Sequence, residues 1–493
     1  MSFCGIKPII GSYDMIQSLW HKYKDVPITV KASIAYTLCS ILQNALGFIT
    51  LPLFTRLLTT KQFGQYSIYA SWGAILVIFT TFNLPYGSFN TAMIKFENDR
   101  DKYISNVQNI CLLFSMIFLI IYLPFSQLWN RVFELPTLIM VTLVIETLGK
   151  TVLQFWMGKE RFDYHYKKVI FITLLIAIIS PILSFYLIMN FSEKGYARIA
   201  GYAIVNIIVG AIFFVYNYSK GKEFFNKKYW IYALKFNIPL IPYYLSQTIF
   251  NQSDKLMINA FSGTEKAGIY SLAYSLGIVL VFVLNAINNS YVPWFYKKLK
   301  SHQGSDNIKI ANLISILMAV LLLGVIITTP ELIAILGGEQ YQEAIWVVPP
   351  VAMSLLLQFY SQLFINVEFY YEKRGLLVLG TIGAAVLNIV LNAILIPIAG
   401  YIAAGYTTLA SYLFFALANY YGYLKTKEQA HIDQKLFNLR QLILIFIVFM
   451  TLTFICMLFY KFIMIRYIIV FIAFIFIVIF RTKIIGLLKL LKE

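Results

Sequence analysis

The chain is a succession of apolar runs about 20 residues long, separated by short charged breaks, and that length carries an α-helix across a hydrocarbon core. Ile110–Phe125, Val169–Met189 and Leu442–Tyr460 are nearly uninterrupted examples. None of them alternates with period two, so helices are expected and barrel strands are not. Polar breaks predict about fourteen spans, near 33–55, 63–92, 104–127, 135–157, 168–190, 197–218, 236–261, 267–294, 308–329, 344–371, 375–397, 400–423, 440–460 and 462–480. The expected fold class is an all-α polytopic membrane protein.

The pattern also repeats itself. Residues 236–274 restate residues 32–70 at a shift of 204, which lays Gly268, Tyr270 and Ser271 on Gly64, Tyr66 and Ser67, and Gln247 on Gln43. A second pair, GYARIAGY at 195–202 and GYIAAGY at 400–406, recurs at nearly the same offset. Self-similarity at a long period means two copies of one structural unit. The division expected is an N-terminal lobe over 1–218, a cytoplasmic linker over 219–235, a C-terminal lobe over 236–424 and two appended helices over 440–480. Six spans per unit make the repeats parallel, related by an axis along the membrane normal, and two such bundles imply a transporter with its site between them.

Composition agrees with a membrane protein: 60% of the 493 residues are hydrophobic and 13% charged, with a mean hydropathy of +0.74. The net charge of +18 would suggest nucleic-acid binding in a soluble chain. Here the Lys and Arg residues sort by side of the membrane, 30 on inner segments against 8 on outer ones, with Lys150 and Lys255 inside spans. Both termini are therefore expected in the cytoplasm, and no nucleic-acid partner is. Cys4, Cys39, Cys111 and Cys456 lack metal-site spacing, so no metal or cofactor is expected. The N-terminal segment lacks the h-region of a signal peptide. No GxxxxGK[ST] loop occurs, so transport must draw on an ion gradient or on the cargo's own gradient.

Charges inside spans cost about 2.5–3.5 kcal/mol each at a helix centre, so each needs a reason. Glu146, Lys150 and Gln154 follow i, i+4, i+8 and share one helix face; they form either a structural ion pair or part of a cavity wall. Gln247, Asn251 and Asp254 share a face of span seven, whereas Lys255 lies about 100° round the helix from Asp254. Arg56, at the outer end of span one, either snorkels or presents its guanidinium to phosphate. Glu368 closes the stripe Gln358, Ser361, Gln362, either as a solvated interfacial acid or as a group that couples an ion. No motif for hydrolase, zinc or nucleotide chemistry occurs, and no catalytic residue is assigned. The prolines Pro52, Pro85, Pro181, Pro239, Pro242, Pro293 and Pro397 predict bends in the spans.

The stretch 26–72, with Pro52, Thr55, Arg56, Leu57, Gly64, Tyr66 and Ser67, and its counterpart carrying Pro239, Asp254, Gly268, Ile269, Tyr270 and Ser271, resembles the polysaccharide-transporter family of the multidrug/oligosaccharidyl-lipid/polysaccharide flippase superfamily. It looks most like the capsule and O-antigen repeat-unit flippases. The resemblance implies a twelve-helix two-lobe core with two extra helices in the plasma (inner) membrane, opening alternately to each side. It implies as cargo an undecaprenyl-pyrophosphate-linked oligosaccharide, passed to the outer leaflet for a polysaccharide polymerase, and no enzymatic activity. It further implies a cationic cavity, for which Arg56, Lys150 and Lys255 are the candidates, with Gln43, Gln154, Gln247 and Asn251 as polar lining. Glu146, Asp254 and Glu368 are the candidates for ion coupling. The related lipid II flippases have cavities richer in arginine than these spans.

A cation-coupled multidrug exporter of the same superfamily is the alternative reading, and it predicts a cavity dominated by acids. A membrane-embedded polymerase or glycosyltransferase predicts a large loop or a DxD domain. The only comparable triplet here is Asp99–Arg100–Asp101, in a short charged loop.

Overall fold

The computed structural model describes residues 26–373 and 375–471. Seventeen delimited α-helices, a further helical stretch over 463–471 and no strand occur among the described residues. In chain order the first eight are α1 (Ile28–Leu57), α2 (Thr60–Thr81), α3 (Phe89–Lys95), α4 (Arg100–Tyr122), α5 (Ser126–Phe133), α6 (Thr137–Phe162), α7 (Tyr166–Asn190) and α8 (Lys194–Gly221). A short α9 (Lys227–Asn237) leads to α10 (Ile241–Ser262), α11 (Thr264–Lys300), α12 (Asn307–Ile327), α13 (Thr329–Leu336), α14 (Val348–Tyr370), α15 (Gly375–Ala399), α16 (Ala403–Gln429) and α17 (Leu439–Leu458).

Ten described helices are long and apolar enough to cross a membrane. Three further helices on predicted spans, α2, α10 and α16, are of crossing length but more polar. They carry hydroxyls and amides, such as Ser67, Ser71, Gln252 and Thr408, that pair at the axis and inside the lobes, and these lower their apolarity. The last predicted span, 462–480, is helical from 463 to 471, and its remainder lies outside the described residues.

Two predicted boundaries move. Span 63–92 ends as a helix at Thr81, because Phe82 and Asn83 adopt positive φ and Pro85 follows. Span 236–261 starts at Ile241: Pro239 and Pro242 interrupt the ladder, and Ile238–Leu240 forms a 3-10 turn between α9 and α10. The region read as a linker therefore contains a helix, α9, whose Tyr229 and Ala233 bury against Phe96 and Tyr103 of the first lobe.

The two lobes meet on the repeat. α2 begins at a capping box, in which Thr59 Oγ1 accepts from Gln62 N at 3.2 Å and Gln62 Oε1 accepts from Thr59 N at 3.1 Å. α10 ends at Gly263, which has φ +87°, and α11 starts at the next residue. These turns bring α2 and α11 into contact through equivalent residues. Gly64 lies against the Thr264 carbonyl and Gly268 against the Thr60 carbonyl, each so closely that a Cβ would fall within 2.1 Å of the oxygen. One turn further on, Ser67 Oγ and Ser271 Oγ share a 2.5 Å hydrogen bond. Each residue of these pairs meets its own copy, or its copy's neighbour, which is the signature of an approximate two-fold axis between the helices.

Further ties cross at the same end of the bundle, the end expected outside from the Lys and Arg distribution. Gln340 Nε2 donates to Thr55 O at 2.7 Å and to Leu58 O at 3.2 Å. Thr55 Oγ1 donates to Leu336 O, and Asn259 Nδ2 donates to the Glu134 carboxylate. Nearer the middle, Ser71 Oγ donates to Gln252 Oε1 at 3.0 Å. Toward the opposite end α1 and α11 separate and enclose a cavity.

Candidate functional site

The cavity between the lobes has a volume of about 920 Å³ and runs along α1 from Tyr36 to Leu51 and along α11 from Ser275 to Asn289. Its polar wall includes Gln43, Asn44, Ser40, Asn285 and Asn289, and among the described residues its lining carries no charged side chain. Each lobe adds a smaller interior cavity. In the first lobe about 250 Å³ is bounded by Tyr66, Tyr69, Glu146, Lys150, Gln154 and Tyr202. In the second, about 370 Å³ is bounded by Asn251, Gln252, Lys255, Tyr274, Gln358 and Thr408. A space of about 160 Å³ beside it takes in Gln247, Asn251 and Gln362.

The predicted polar faces therefore sort into three groups. Gln43 lines the space between the lobes; Glu146, Lys150 and Gln154 line the first-lobe cavity together, as their spacing requires; Gln247, Asn251 and Lys255 line the second-lobe cavities. Arg56 lines none of these cavities. It is exposed at the closed end, where Nη2 donates to Ile335 O of the other lobe at 3.3 Å. Glu368 also lines none of them: it is buried against Gly422 of α16, and neither carboxylate oxygen has a partner among the described residues. Asp254 turns away from the cavity that Lys255 faces, as the 100° between them demands.

One buried acid in each lobe, Glu146 and Asp254, sits in a similar setting. Glu146 accepts from Tyr69 Oη at 2.5 Å on the axis helix α2, from Asn206 Nδ2 at 2.9 Å on α8 and from Lys150 Nζ at 2.6 Å. Asp254 accepts from Tyr270 Oη at 2.6 Å on the axis helix α11, from Asn388 Nδ2 at 3.1 Å and Asn392 Nδ2 at 2.7 Å on α15, and from Thr408 Oγ1 at 2.5 Å on α16. Four neutral donors and no cation surround it, while Lys255 Nζ stands 4.9 Å from the Tyr274 ring centroid.

The sequence reading missed this shell. Asn388 and Asn392 stand four apart in an otherwise apolar run, VLNIVLNAIL, and that spacing was the available signal for them. It missed Arg198 as well, which opens the predicted span 197–218 and is 5% exposed. The acidic triplet is accounted for by solvated ion pairs, Asp99 with Lys102 at 3.0 Å and Asp101 with Lys159 at 2.5 Å.

Two helical lobes joined on an approximate two-fold, with polar and charged side chains turned into the cavities within and between them, define a multi-pass membrane transporter. Residues 29–299 match the model of the polysaccharide biosynthesis protein family, and the chain belongs to that family. A Haemophilus influenzae protein, Lsg locus putative protein 1, is 27% identical over 196 residues, covering 36% of this chain and 47% of that protein. The match thus spans about half the length of that relative. Among solved structures, the lipid II flippase MurJ in an inward closed conformation shares the fold, with a TM-score of 0.66 at 14% identity over 92% of this chain and 100% of that one. An inward-facing multidrug resistance transporter of the MATE family gives 0.58 at 11% identity over 82% and 100%.

Proposed function

We propose that the protein is a flippase that moves undecaprenyl-pyrophosphate-linked oligosaccharide repeat units from the cytoplasmic to the outer leaflet by alternating access, supplying a polysaccharide polymerase. The observation that carries this reading is the cavity between the lobes. It is roomy, and among the described residues its mainly apolar wall carries amides and hydroxyls but no charge; these polar groups pair with sugar hydroxyls in either direction. Membership of a polysaccharide biosynthesis family supports the same cargo class. A diphosphate and sugars cannot cross hydrocarbon unaided, whereas a polyprenyl tail stays in lipid, so the protein need enclose only the head group. Lys150 and Lys255, one per lobe, offer the diphosphate point charges that hold it without trapping it.

Asp254 is the coupling acid in this reading. One carboxylate among amide and hydroxyl groups presents a single negative charge in an oxygen-rich shell, which suits a proton or one monovalent cation. Entry of the ion would displace donors contributed by α11, α15 and α16 at once, and so would act on the packing of the whole lobe. With both termini in the cytoplasm, the conformation described here opens inward.

The test is a deletion strain with and without the gene restored, scored for surface polysaccharide and for radiolabelled lipid-linked oligosaccharide in its membranes. Loss of surface polymer with accumulation of the lipid-linked unit is expected. Unchanged polymer with altered resistance to cationic dyes would replace this reading with the cation-coupled drug exporter.

A further inference from the structure

Arg198, at the start of α8, is the residue whose placement calls hardest for an explanation. Its guanidinium is buried at the closed end of the transporter, and no carboxylate pairs with it among the described residues. Nε and Nη1 have no hydrogen-bond partner among the described residues. Around it stand aromatic rings: Tyr66 at 3.9 Å, Phe54 at 4.5 Å and Phe63 at 4.7 Å from the guanidinium carbon. Tyr341 of the opposite lobe, its ring 5.9 Å from that of Phe63 and its hydroxyl also unpartnered, completes the enclosure. Ring faces attract a cation, but they cannot accept the directed N–H bonds that a guanidinium forks toward a carboxylate or phosphate. A charge kept inside a membrane protein with its donors unspent marks a functional position.

The location supplies the function. Tyr66 and Tyr202, which flank Arg198 on its own lobe, are also wall residues of the first-lobe cavity that holds Glu146 and Lys150. Arg198 therefore lies one aromatic layer beyond that cavity, toward the closed end. Tyr341 belongs to the other lobe, whose ties to Thr55 and Leu58 run through its neighbour Gln340. Parting the lobes at this end removes Tyr341 and opens one side of the enclosure.

We infer that Arg198 is an anion site of the outward-open state: a phosphate-bearing head group takes its free N–H donors once Tyr341 has withdrawn, and the site is withdrawn again when the lobes close. This rests on the flippase reading and names the release-side contact within it. Burying the guanidinium on closure removes the anion's partner, so the same motion that resets the transporter dismisses the cargo. The aromatic rings shelter the cation while it has no anion.

The experiment uses the full chain in nanodiscs, with the native cysteines replaced and Ser271→Cys as reporter, because Ser271 is buried in the seam. The maleimide labelling rate is measured with and without saturating inorganic pyrophosphate. A ligand that binds only the open state raises that state's population, so pyrophosphate is expected to speed labelling at least about fivefold. Arg198→Gln is expected to abolish the acceleration and Arg198→Lys to keep part of it. No acceleration in the protein that retains Arg198 overturns the inference and does not depend on any variant folding. Equal acceleration in Arg198→Gln overturns it too, since another cation would then hold the anion. If the deletion strain accumulates lipid-linked oligosaccharide but pyrophosphate has no effect on labelling, the flippase reading stands and only the role of Arg198 falls.

Discussion

Replacing Gly268 or Gly64 by alanine tests the packing on which the closed end depends. In an exposed helix interior, glycine to alanine stabilises by about 1 kcal/mol, because alanine loses less conformational freedom on folding. Here the sign should reverse. A Cβ on Gly268 would lie 2.1 Å from the Thr60 carbonyl oxygen, where ordinary contact begins near 3.4 Å, so α2 and α11 must part by about 1.3 Å. The Ser67–Ser271 hydrogen bond at 2.5 Å would be lost with that movement, and the ties from Gln340 would be strained. Overpacking of this kind costs about 1–3 kcal/mol, and the cost falls on the closed conformation alone. It corresponds to a roughly 5- to 150-fold shift toward the open end. Gly64→Ala should behave alike, because its Cβ would meet Thr264 O at 2.0 Å. Gly324→Ala, where nothing lies within 4 Å, serves as the neutral control. Maleimide labelling of Ser271→Cys, added from outside the cell, reads the population of the open seam, and surface polysaccharide reads the cycle. Labelling that matches the Gly324→Ala control in both variants, with polysaccharide intact, would refute the argument.

Ser67→Cys combined with Ser271→Cys should form a disulfide under mild oxidant, since the two Oγ atoms already lie 2.5 Å apart; polysaccharide export should stop and return on reduction, and export that continues with the cross-link demonstrated by mass spectrometry would count against alternation at this seam. Asp254→Asn should keep the protein folded while abolishing its response to an imposed ion gradient in proteoliposomes. Asp254→Leu should also lower Tm, because four donors lose their acceptor at about 1–3 kcal/mol each; an unchanged Tm would contradict the buried network. At the exposed end of the second lobe, Lys266 at 2.6 Å and Tyr401 at 2.9 Å hold the Glu343 carboxyl below the usual glutamate range. Because the folded-state value is depressed, the stability this clamp contributes is full above about pH 4.3 and is lost as pH falls through the lowered value. The Tm advantage over Glu343→Gln should shrink below about pH 4, and an advantage independent of pH would remove the ion pair from the account.

What could be read from the sequence was governed by periodicity. A repeat with a shift of 204 can be recognised without knowing any contact, and an approximate two-fold then requires residues near the axis to meet their own copies, as Ser67 meets Ser271. Helical spacing likewise fixed that Asp254 and Lys255 diverge and that Glu146, Lys150 and Gln154 converge. Pairing between distant helices has no such rule. Nothing in the spacing joins Asp254 to Asn392, 138 residues away, or Tyr69 to Glu146, because those contacts are set by how whole helices pack. For the same reason Arg56 drew more weight than Arg198. Both are arginines at the end of a span, and only packing separates the one that reaches a neighbouring carbonyl from the one enclosed by rings. Pro239 and Pro242 announced a bend, but that the backbone tightens into a 3-10 turn and hands over to a separate helix depends on α9 docking against Phe96 and Tyr103.

The two acids show why an approximate repeat suits a transporter better than a perfect one. Both accept a tyrosine hydroxyl from the axis helix, so any motion of α2 against α11 is felt at Glu146 and Asp254 together. Of the two, only Glu146 has a lysine in contact, which makes its surroundings a fixed part of the wall. Asp254 has only neutral donors around it, and in the proposed coupling role these would be exchanged for a bound ion. Supplying Asp254 with a cation of its own should therefore uncouple it. Thr408→Lys would place an ammonium at the position from which Thr408 Oγ1 now donates at 2.5 Å. The expected result is a protein that still reaches the membrane but no longer responds to an ion gradient, while the same substitution made together with Asp254→Asn fails to fold because the buried cation then has no partner. A Thr408→Lys protein that transports with its full ion dependence would show that the exchangeable charge lies elsewhere.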